Sequence, residues 1–210
     1  NYVDLKYINV DKIKKLYSVA ASFKPNMILH KFDFYEDTEV VFYDYSKQAL
    51  AFKKLLLKEW NGEDYPRFLE YAVRKYKINE TGGNETQVLT RQELWQREIE
   101  WWGSEKIIKE HWDRYRLLKH SYIHCDICED PDKVTSKITS DDNSVIWWSN
   151  AFHTINAQYL RGLSGVKECY ETWCNQINEK NPNIWILGKD YLDKPVEGKN
   201  IKDYLSAYNS

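Results

Sequence analysis

Glycine and long apolar runs are what this sequence has least of. Only 8 of its 210 residues are glycine, and the first of them is Gly62. No window approaches the roughly 18 consecutive apolar residues that a membrane span requires, and the first residues lack the apolar segment of a signal peptide. We therefore expect no membrane span and an intracellular, cytoplasmic protein.

An excess of charge of either sign is also missing. The chain has 30 basic and 32 acidic residues, a formal net charge of -2 at pH 7. No basic cluster with interleaved aromatic residues, the usual footprint of nucleic-acid binding, is present, so we expect no nucleic-acid partner. A chain of this length can form one domain with a real core. Because it begins with Asn1 rather than Met, we expect a processed chain or a piece of a longer protein, with a further domain upstream as one alternative.

Cysteine is scarce as well, and the four cysteines form two short motifs, Cys125-x-x-Cys128 and Cys169-x-x-x-x-Cys174. One interpretation is a zinc site with His124 or His120 as a further ligand. The other is a set of reduced structural thiols. We favour reduced thiols and expect no metal, because Cys125 and Cys128 straddle the end of a predicted strand and Cys169 shares a helix face with apolar residues.

Short apolar runs alternate with amphipathic helical stretches along the chain. The five predicted strands are 16–21, 39–43, 122–127, 145–150 and 184–188. The run at 39–43 is apolar throughout, which is typical of a strand buried on both faces of a parallel sheet. This alternation predicts an α/β fold with a doubly wound, mostly parallel, Rossmann-like sheet.

The stretch 61–119 is too long for a simple crossover between two strands. We predict that it is a helical insertion beside the sheet of a single domain that spans 1–210. Thr90-Arg91-Gln92-Glu93 matches a capping box and predicts a helix start. Ser46 and Ser164 are predicted to cap two further helices.

Polar residues follow the predicted strands, at the edge where open α/β sheets bind ligands. Asp44 ends the second strand, about 20 residues after the loop that follows the first. At this spacing nucleotide-binding folds place an acidic residue on a ribose. His153, just beyond the fourth strand, is a candidate general base, because the ordinary pKa of histidine lies near neutrality.

This order of strand ends resembles that of the class I S-adenosylmethionine-dependent methyltransferases. The resemblance covers about 16–187 without the insertion. It implies that Ala20-Ala21-Ser22 passes beneath the methionine part of the cofactor and that Asp44 takes the ribose hydroxyls. It also implies that Asp126 lies near the adenine amine, and that Ser149-Asn150 faces the transferred methyl group. Catalysis would then involve Asn150 and His153.

The first loop departs from the family because it contains no glycine. A glycine would let a ligand approach the backbone closely at little steric cost. Two functions therefore stay open, and so does whether the chain is an enzyme. The first is methyl transfer to a small-molecule or saccharide acceptor. The second is a non-catalytic scaffold whose aromatic-rich insertion, with Trp95, Trp101, Trp102 and Trp112, binds a protein or glycan. A nicotinamide or nucleotide-sugar enzyme is less favoured, because it too needs a glycine-rich loop.

Overall fold

A computed structural model describes residues 8–76, 90–141 and 143–209. Within those ranges the backbone forms six strands and eight α-helices. The strands are β1 (Ile13–Val19), β2 (Phe34–Asp44), β3 (Lys119–His124), β4 (Ser144–Trp147), β5 (Trp185–Lys189) and β6 (Pro195–Asn200). The helices are α1 (Lys24–Phe32), α2 (Lys47–Glu59), α3 (Tyr65–Tyr76), α4 (Arg91–Trp102), α5 (Glu105–Tyr115), α6 (Asp132–Thr135), α7 (Ile155–Lys180) and α8 (Ile201–Tyr208). A short 3₁₀ turn, Ala151–His153, precedes α7.

The sheet belongs to one of two compact units, which comprises Asn1–Leu50 and Leu118–Ser210. Its strand order is β3-β2-β1-β4-β5-β6. Strands β1 to β5 run parallel, and β6 pairs antiparallel with β5. The predicted α/β class with a mostly parallel sheet is thus confirmed, and the order is compatible with a Rossmann-like fold.

Both faces of this sheet are buried, which explains why its strands read as apolar runs. Successive residues of a strand point to opposite faces. On one face, the residues that share a core cluster with Trp173 and Ile177 of α7 include Tyr17, Val41 and Ile146. The other face is equally buried. It carries the residues directly before these three, Leu16, Val40 and Val145.

The second compact unit, Ala51–Leu117, is helical and its core is aromatic. The rings of Trp60, Trp95, Trp102 and Trp112 are all buried. The Trp112 indole Nε1 donates to the carbonyl oxygen of Trp60 at 3.0 Å. Gly62 allows this packing: its φ is 90°, and a Cβ there would lie 2.8 Å from Cδ1 of Trp112. Residues 77–89 of the predicted insertion lie outside the described residues.

The structure moves several predicted element boundaries: β2 begins at Phe34 rather than at 39, β3 is Lys119–His124 rather than 122–127, and β4 ends at Trp147 rather than at 150. The helix predicted to start at Ser164 does begin near that residue, after a kink, but α7 also includes an earlier segment that starts at Ile155, where the Thr154 hydroxyl accepts from the N–H of Ala157 at 3.1 Å. Gly162 interrupts that helix with a φ of 65°. β1 ends at Val19, so the last two residues of the predicted strand fall in the loop.

Strand β6 was missed because the sequence after β5 is polar and offers only one buried apolar residue, Val196, to an edge strand. The predicted caps at Thr90 and Ser46 are confirmed. Thr90 and Glu93 form a reciprocal capping box, and the Ser46 hydroxyl accepts from the N–H of Ala49 at 3.2 Å. None of the helices in the described ranges has the length and apolar character needed to cross a bilayer.

Candidate functional site

The carboxyl ends of the parallel strands form one edge of the sheet, and the predicted site residues lie there. The strand register aligns Val19 of β1 with Tyr43 of β2, and Asp44 with His124 of β3. The predicted residues at or just after these strand ends are Ala20, Ala21, Ser22, Asp44, Asp126, Ser149, Asn150 and His153. The edge is braced by the buried Tyr43 hydroxyl, which donates to the carbonyl oxygen of Trp147 in β4 at 2.9 Å.

The loop after β1 makes a tight turn without glycine. Ala20 is buried, and its N–H donates to the carbonyl oxygen of Tyr43 at 3.2 Å. Ser22 has a φ of 40°, in the left-handed region that favours glycine. Its hydroxyl accepts from the N–H of Lys24, the first residue of α1, at 3.2 Å. A side chain held in this region costs on the order of 1 kcal/mol and is typical of functional turns.

Asp44 is held at the end of β2 by a turn of its own. One carboxylate oxygen accepts from the N–H of Ser46 at 2.8 Å. Its backbone carbonyl accepts from the N–H of Cys125, just beyond β3, at 3.0 Å. The carboxylate is therefore oriented by the backbone at the strand end.

Asp126 lies two residues beyond the end of β3. Its Oδ1 accepts from the N–H of Cys128 at 2.8 Å, and its Oδ2 lies 4.0 Å from the Arg161 guanidinium. Arg161 also pairs with Glu129. Burial raises the pKa of the nearby Cys125 thiol to about 11, and the negative charge of Asp126 adds to that rise. This turn is thus ordered by both hydrogen bonds and charge.

The end of β4 is packed tightly against β5. Ser149 also has a left-handed φ, of 57°, and its carbonyl oxygen accepts from the N–H of Lys189 at 2.7 Å. The carbonyl oxygen of Asn150 accepts from the N–H of His153 at 2.9 Å. At Gly188 a Cβ would lie 2.6 Å from the Nε1 atom of Trp148, so only glycine fits this contact.

His153 lies in the 3₁₀ turn and has two partners at the same ring nitrogen. Its Nδ1 is 3.0 Å from the Gln158 side-chain nitrogen and 3.3 Å from the carbonyl oxygen of Tyr191. Accepting from Gln158 places the ring proton on Nε2, whereas donating to Tyr191 leaves Nε2 with a lone pair. The second tautomer is the one in which Nε2 can act as a base.

Asn26 is a further polar residue at this edge, in the predicted loop stretch 22–26, although the sequence assigned it no role. It is only 3% exposed, and its side-chain nitrogen has no hydrogen-bond partner among the described residues. Side chains lean toward the N-terminus of their helix, so this amide in the first turn of α1 leans toward the loop that holds Ser22. An unpaired buried donor costs about 1–3 kcal/mol, which a ligand oxygen would remove. The only indication of this residue in the sequence was an amide side chain directly before the apolar run Met27-Ile28-Leu29.

The first turns of α7, directly after His153, carry exposed apolar side chains. Ile155 is 88% exposed and Tyr159 is 87% exposed, and Leu160 and Leu163 are exposed as well. The spacing of Ile155 and Tyr159 places them on one face of the helical segment that precedes the kink at Gly162. Contiguous exposed apolar side chains of this kind often mark a binding surface.

The aromatic residues predicted to bind a partner are placed differently. Trp95, Trp102 and Trp112 are buried, so their rings pack inside the helical unit. Across 8–76, 90–141 and 143–209, no group of three or more His, Cys, Asp or Glu side chains is arranged to hold a metal ion. Comparisons with protein-family models, with curated proteins and with solved structures each found no match.

Proposed function

We propose that the chain binds S-adenosylmethionine at the carboxyl ends of β1, β2 and β3 and transfers its methyl group to a small-molecule or saccharide acceptor. The observation that carries this proposal is the position of Asp44. It ends β2, next to the turn that contains Ser22, where the strand order reverses between β1 and β4. Ligands of doubly wound, Rossmann-like sheets bind at such a reversal, and an acidic residue at the end of β2 binds the ribose.

In this proposal each residue at the edge contacts one part of the cofactor. The Asp44 carboxylate accepts from the ribose hydroxyls, and Asp126 accepts from the adenine amine. The loop Ala20-Ala21-Ser22 contacts the methionine part. The buried Asn26 amide donates to a cofactor oxygen, which removes the cost of leaving it unpaired. Asp44 and Asp126 already have fixed turns, so little side-chain ordering is required on binding.

Methyl transfer demands alignment more than covalent chemistry from the protein. The bound cofactor supplies an activated methyl group, and the residues around it hold the acceptor in line. Ser149 and Asn150 position the acceptor at the end of β4, and His153 Nε2 takes the proton from an acceptor hydroxyl. The exposed Ile155 and Tyr159 side chains suit an acceptor with an apolar face or a sugar ring.

The alternative is a non-catalytic scaffold, and the glycine-free first loop favours it. Without glycine, a ligand cannot approach that backbone as closely as in a glycine-rich loop. In this alternative Asp44 serves only to close the turn with Ser46. The exposed apolar face of α7 would then contact a protein or glycan partner. Binding of the cofactor distinguishes the two proposals.

Calorimetric titration of the chain with S-adenosylhomocysteine and S-adenosylmethionine is the direct test. We expect micromolar binding that Asp44→Ala weakens by about 1.5–3 kcal/mol, the value of a hydrogen bond to a charged group. The matched control is Asp130→Ala. Asp130 lies after β3, at the same edge of the sheet, but its carboxylate pairs with Lys133 at 2.6 Å. The Asp130→Ala variant should therefore bind the cofactor like the unchanged chain.

Two results would overturn the proposal. One is no binding up to millimolar ligand by a chain with intact circular dichroism, which would favour the scaffold. The other is equal affinity of Asp44→Ala and Asp130→Ala, which would place any bound cofactor away from β2.

A further inference from the structure

Two of the four cysteines contact each other between the turn after β3 and the middle of α7. Cys128 lies in that turn, and Cys169 lies 41 residues further along the chain. The Cys169 thiol donates to the carbonyl oxygen of Cys128 at 3.4 Å. Both residues are half-buried, so a small reagent can approach them from solvent.

The other two cysteines have different surroundings. The Cys125 thiol is buried and donates to the carbonyl oxygen of Asp130 at 3.7 Å. The Cys174 thiol is buried in the core cluster that contains Trp173 and Ile177. Within the described ranges no third ligand joins the Cys128 and Cys169 thiols to make a metal site. The contacting pair is therefore suited to a reaction between two thiols.

We propose that Cys128 and Cys169 form a reversible disulfide when the chain meets a disulfide oxidant such as oxidised glutathione. The Cys169 thiolate attacks one sulfur of the oxidant, forms a mixed disulfide and releases one glutathione thiolate. Cys128 then attacks the Cys169 sulfur, forms the Sγ–Sγ bond and releases the second glutathione. The two protein thiols lose two electrons and two protons, and one glutathione disulfide becomes two thiols.

The order of the two attacks follows from the burial of Cys128. The thiolate is the form that attacks disulfides, and burial raises the pKa of the Cys128 thiol to about 12. It therefore reacts second, with the sulfur that the mixed disulfide places beside it.

The bond would fix the turn after β3 onto α7. Asp126 is two residues from Cys128 and its carboxylate accepts from the N–H of Cys128, so that turn would lose freedom when the bond closes. A cross-link over a loop of this length constrains the unfolded chain. For a chain of this size we expect the oxidised form to melt roughly 5–15 °C higher than the reduced form. This inference does not depend on the proposed cofactor.

The test is equilibration of the full chain in glutathione buffers of increasing oxidised fraction. Each sample is quenched with acid, its remaining thiols are alkylated under denaturing conditions, and the peptides are identified by mass spectrometry. We expect a linked peptide pair containing Cys128 and Cys169, alkylation of Cys125 and Cys174, and the higher melting temperature. Dithiothreitol should reverse all three changes.

Three serine variants make the test specific. Cys128→Ser and Cys169→Ser should each abolish the linked peptide and the melting shift, whereas Cys125→Ser should keep both. Alkylation of all four thiols after prolonged oxidation would overturn the proposal. A link that involves Cys125 or Cys174, or a stable glutathione adduct on Cys169 that never closes, would overturn it equally.

Discussion

The two compact units of this chain use polar and aromatic side chains in opposite ways. In the sheet unit, polar side chains gather at strand ends, and left-handed turns at Ser22 and Ser149 hold that edge. In the helical unit, the large rings form the core, and ion pairs such as Lys106 with Glu110 lie on the surface. The abundance of aromatic residues in the helical unit therefore reflects packing. In the proposed function, the strand ends are where the backbone presents groups to a ligand.

The largest expected effect on the free energy of unfolding is that of Trp112→Ala in the helical unit. Trp112 is 1% exposed and contacts the ring of Trp60. Loss of a buried ring of this size costs about 3–5 kcal/mol. Urea unfolding followed by circular dichroism should show that loss, while the affinity for S-adenosylhomocysteine at native conditions is unchanged.

The control for this change is Trp101→Ala, which removes a half-buried ring from the same helix as Trp102. Its cost should be clearly smaller. Loss of cofactor affinity in a still folded Trp112→Ala chain would contradict the proposal that only the sheet unit takes part in cofactor binding.

A smaller effect is expected from Asn26→Leu in the sheet unit, and it should change cofactor affinity rather than destabilise the fold. Leucine has a similar shape and removes an amide nitrogen that has no partner among the described residues. The free energy of unfolding should stay constant or rise by up to about 1–3 kcal/mol, because the cost of an unpaired donor is removed. Affinity for S-adenosylhomocysteine should fall. Thermal melting and calorimetry of the same samples measure both.

Met27→Leu is the matched control for Asn26→Leu, since it changes the next residue of α1 at nearly constant volume. It should leave the affinity unchanged. If Asn26→Leu destabilises the fold and binds normally, Asn26 is a structural residue and has no part in the site.

The smallest effect is expected from Thr90→Ala at the start of α4. The Thr90 hydroxyl accepts from the N–H of Glu93 at 3.2 Å, and the Glu93 carboxylate accepts from the N–H of Thr90 at 2.6 Å. Loss of such a cap costs about 1 kcal/mol. Urea unfolding should show this loss, Thr90→Ser should restore most of it, and neither change should alter cofactor affinity. An unchanged stability would mean that α4 does not depend on its cap.

Much of the sheet could be predicted because its strands are apolar runs separated by amphipathic helices. Asp44 and its turn with Ser46 could be located because a short polar sequence follows a strong strand signal. The capping box at Thr90 could also be predicted, since it depends only on the spacing of nearby residues. Local patterns therefore predicted the five parallel strands of the sheet unit, but they missed β6 and the start of α7.

The remainder depends on contacts between distant parts of the chain. The left-handed Ser22 occupies a position where sequence patterns look for glycine. The burial of Asn26 follows from how α1 packs on the sheet, and the contact of Cys128 with Cys169 joins residues 41 positions apart. The start of α7 was missed because the helix is interrupted at Gly162 and its first turns are apolar but exposed.

Hydrogen–deuterium exchange of the full chain, with and without saturating S-adenosylhomocysteine, is the most direct test of where the ligand binds. The account predicts slower exchange at residues 20–23, 45–46 and 126–129, with no change across α4 and α5. Protection confined to α4 and α5, or no protection anywhere at saturating ligand, would contradict the assignment of the cofactor to the carboxyl ends of the sheet.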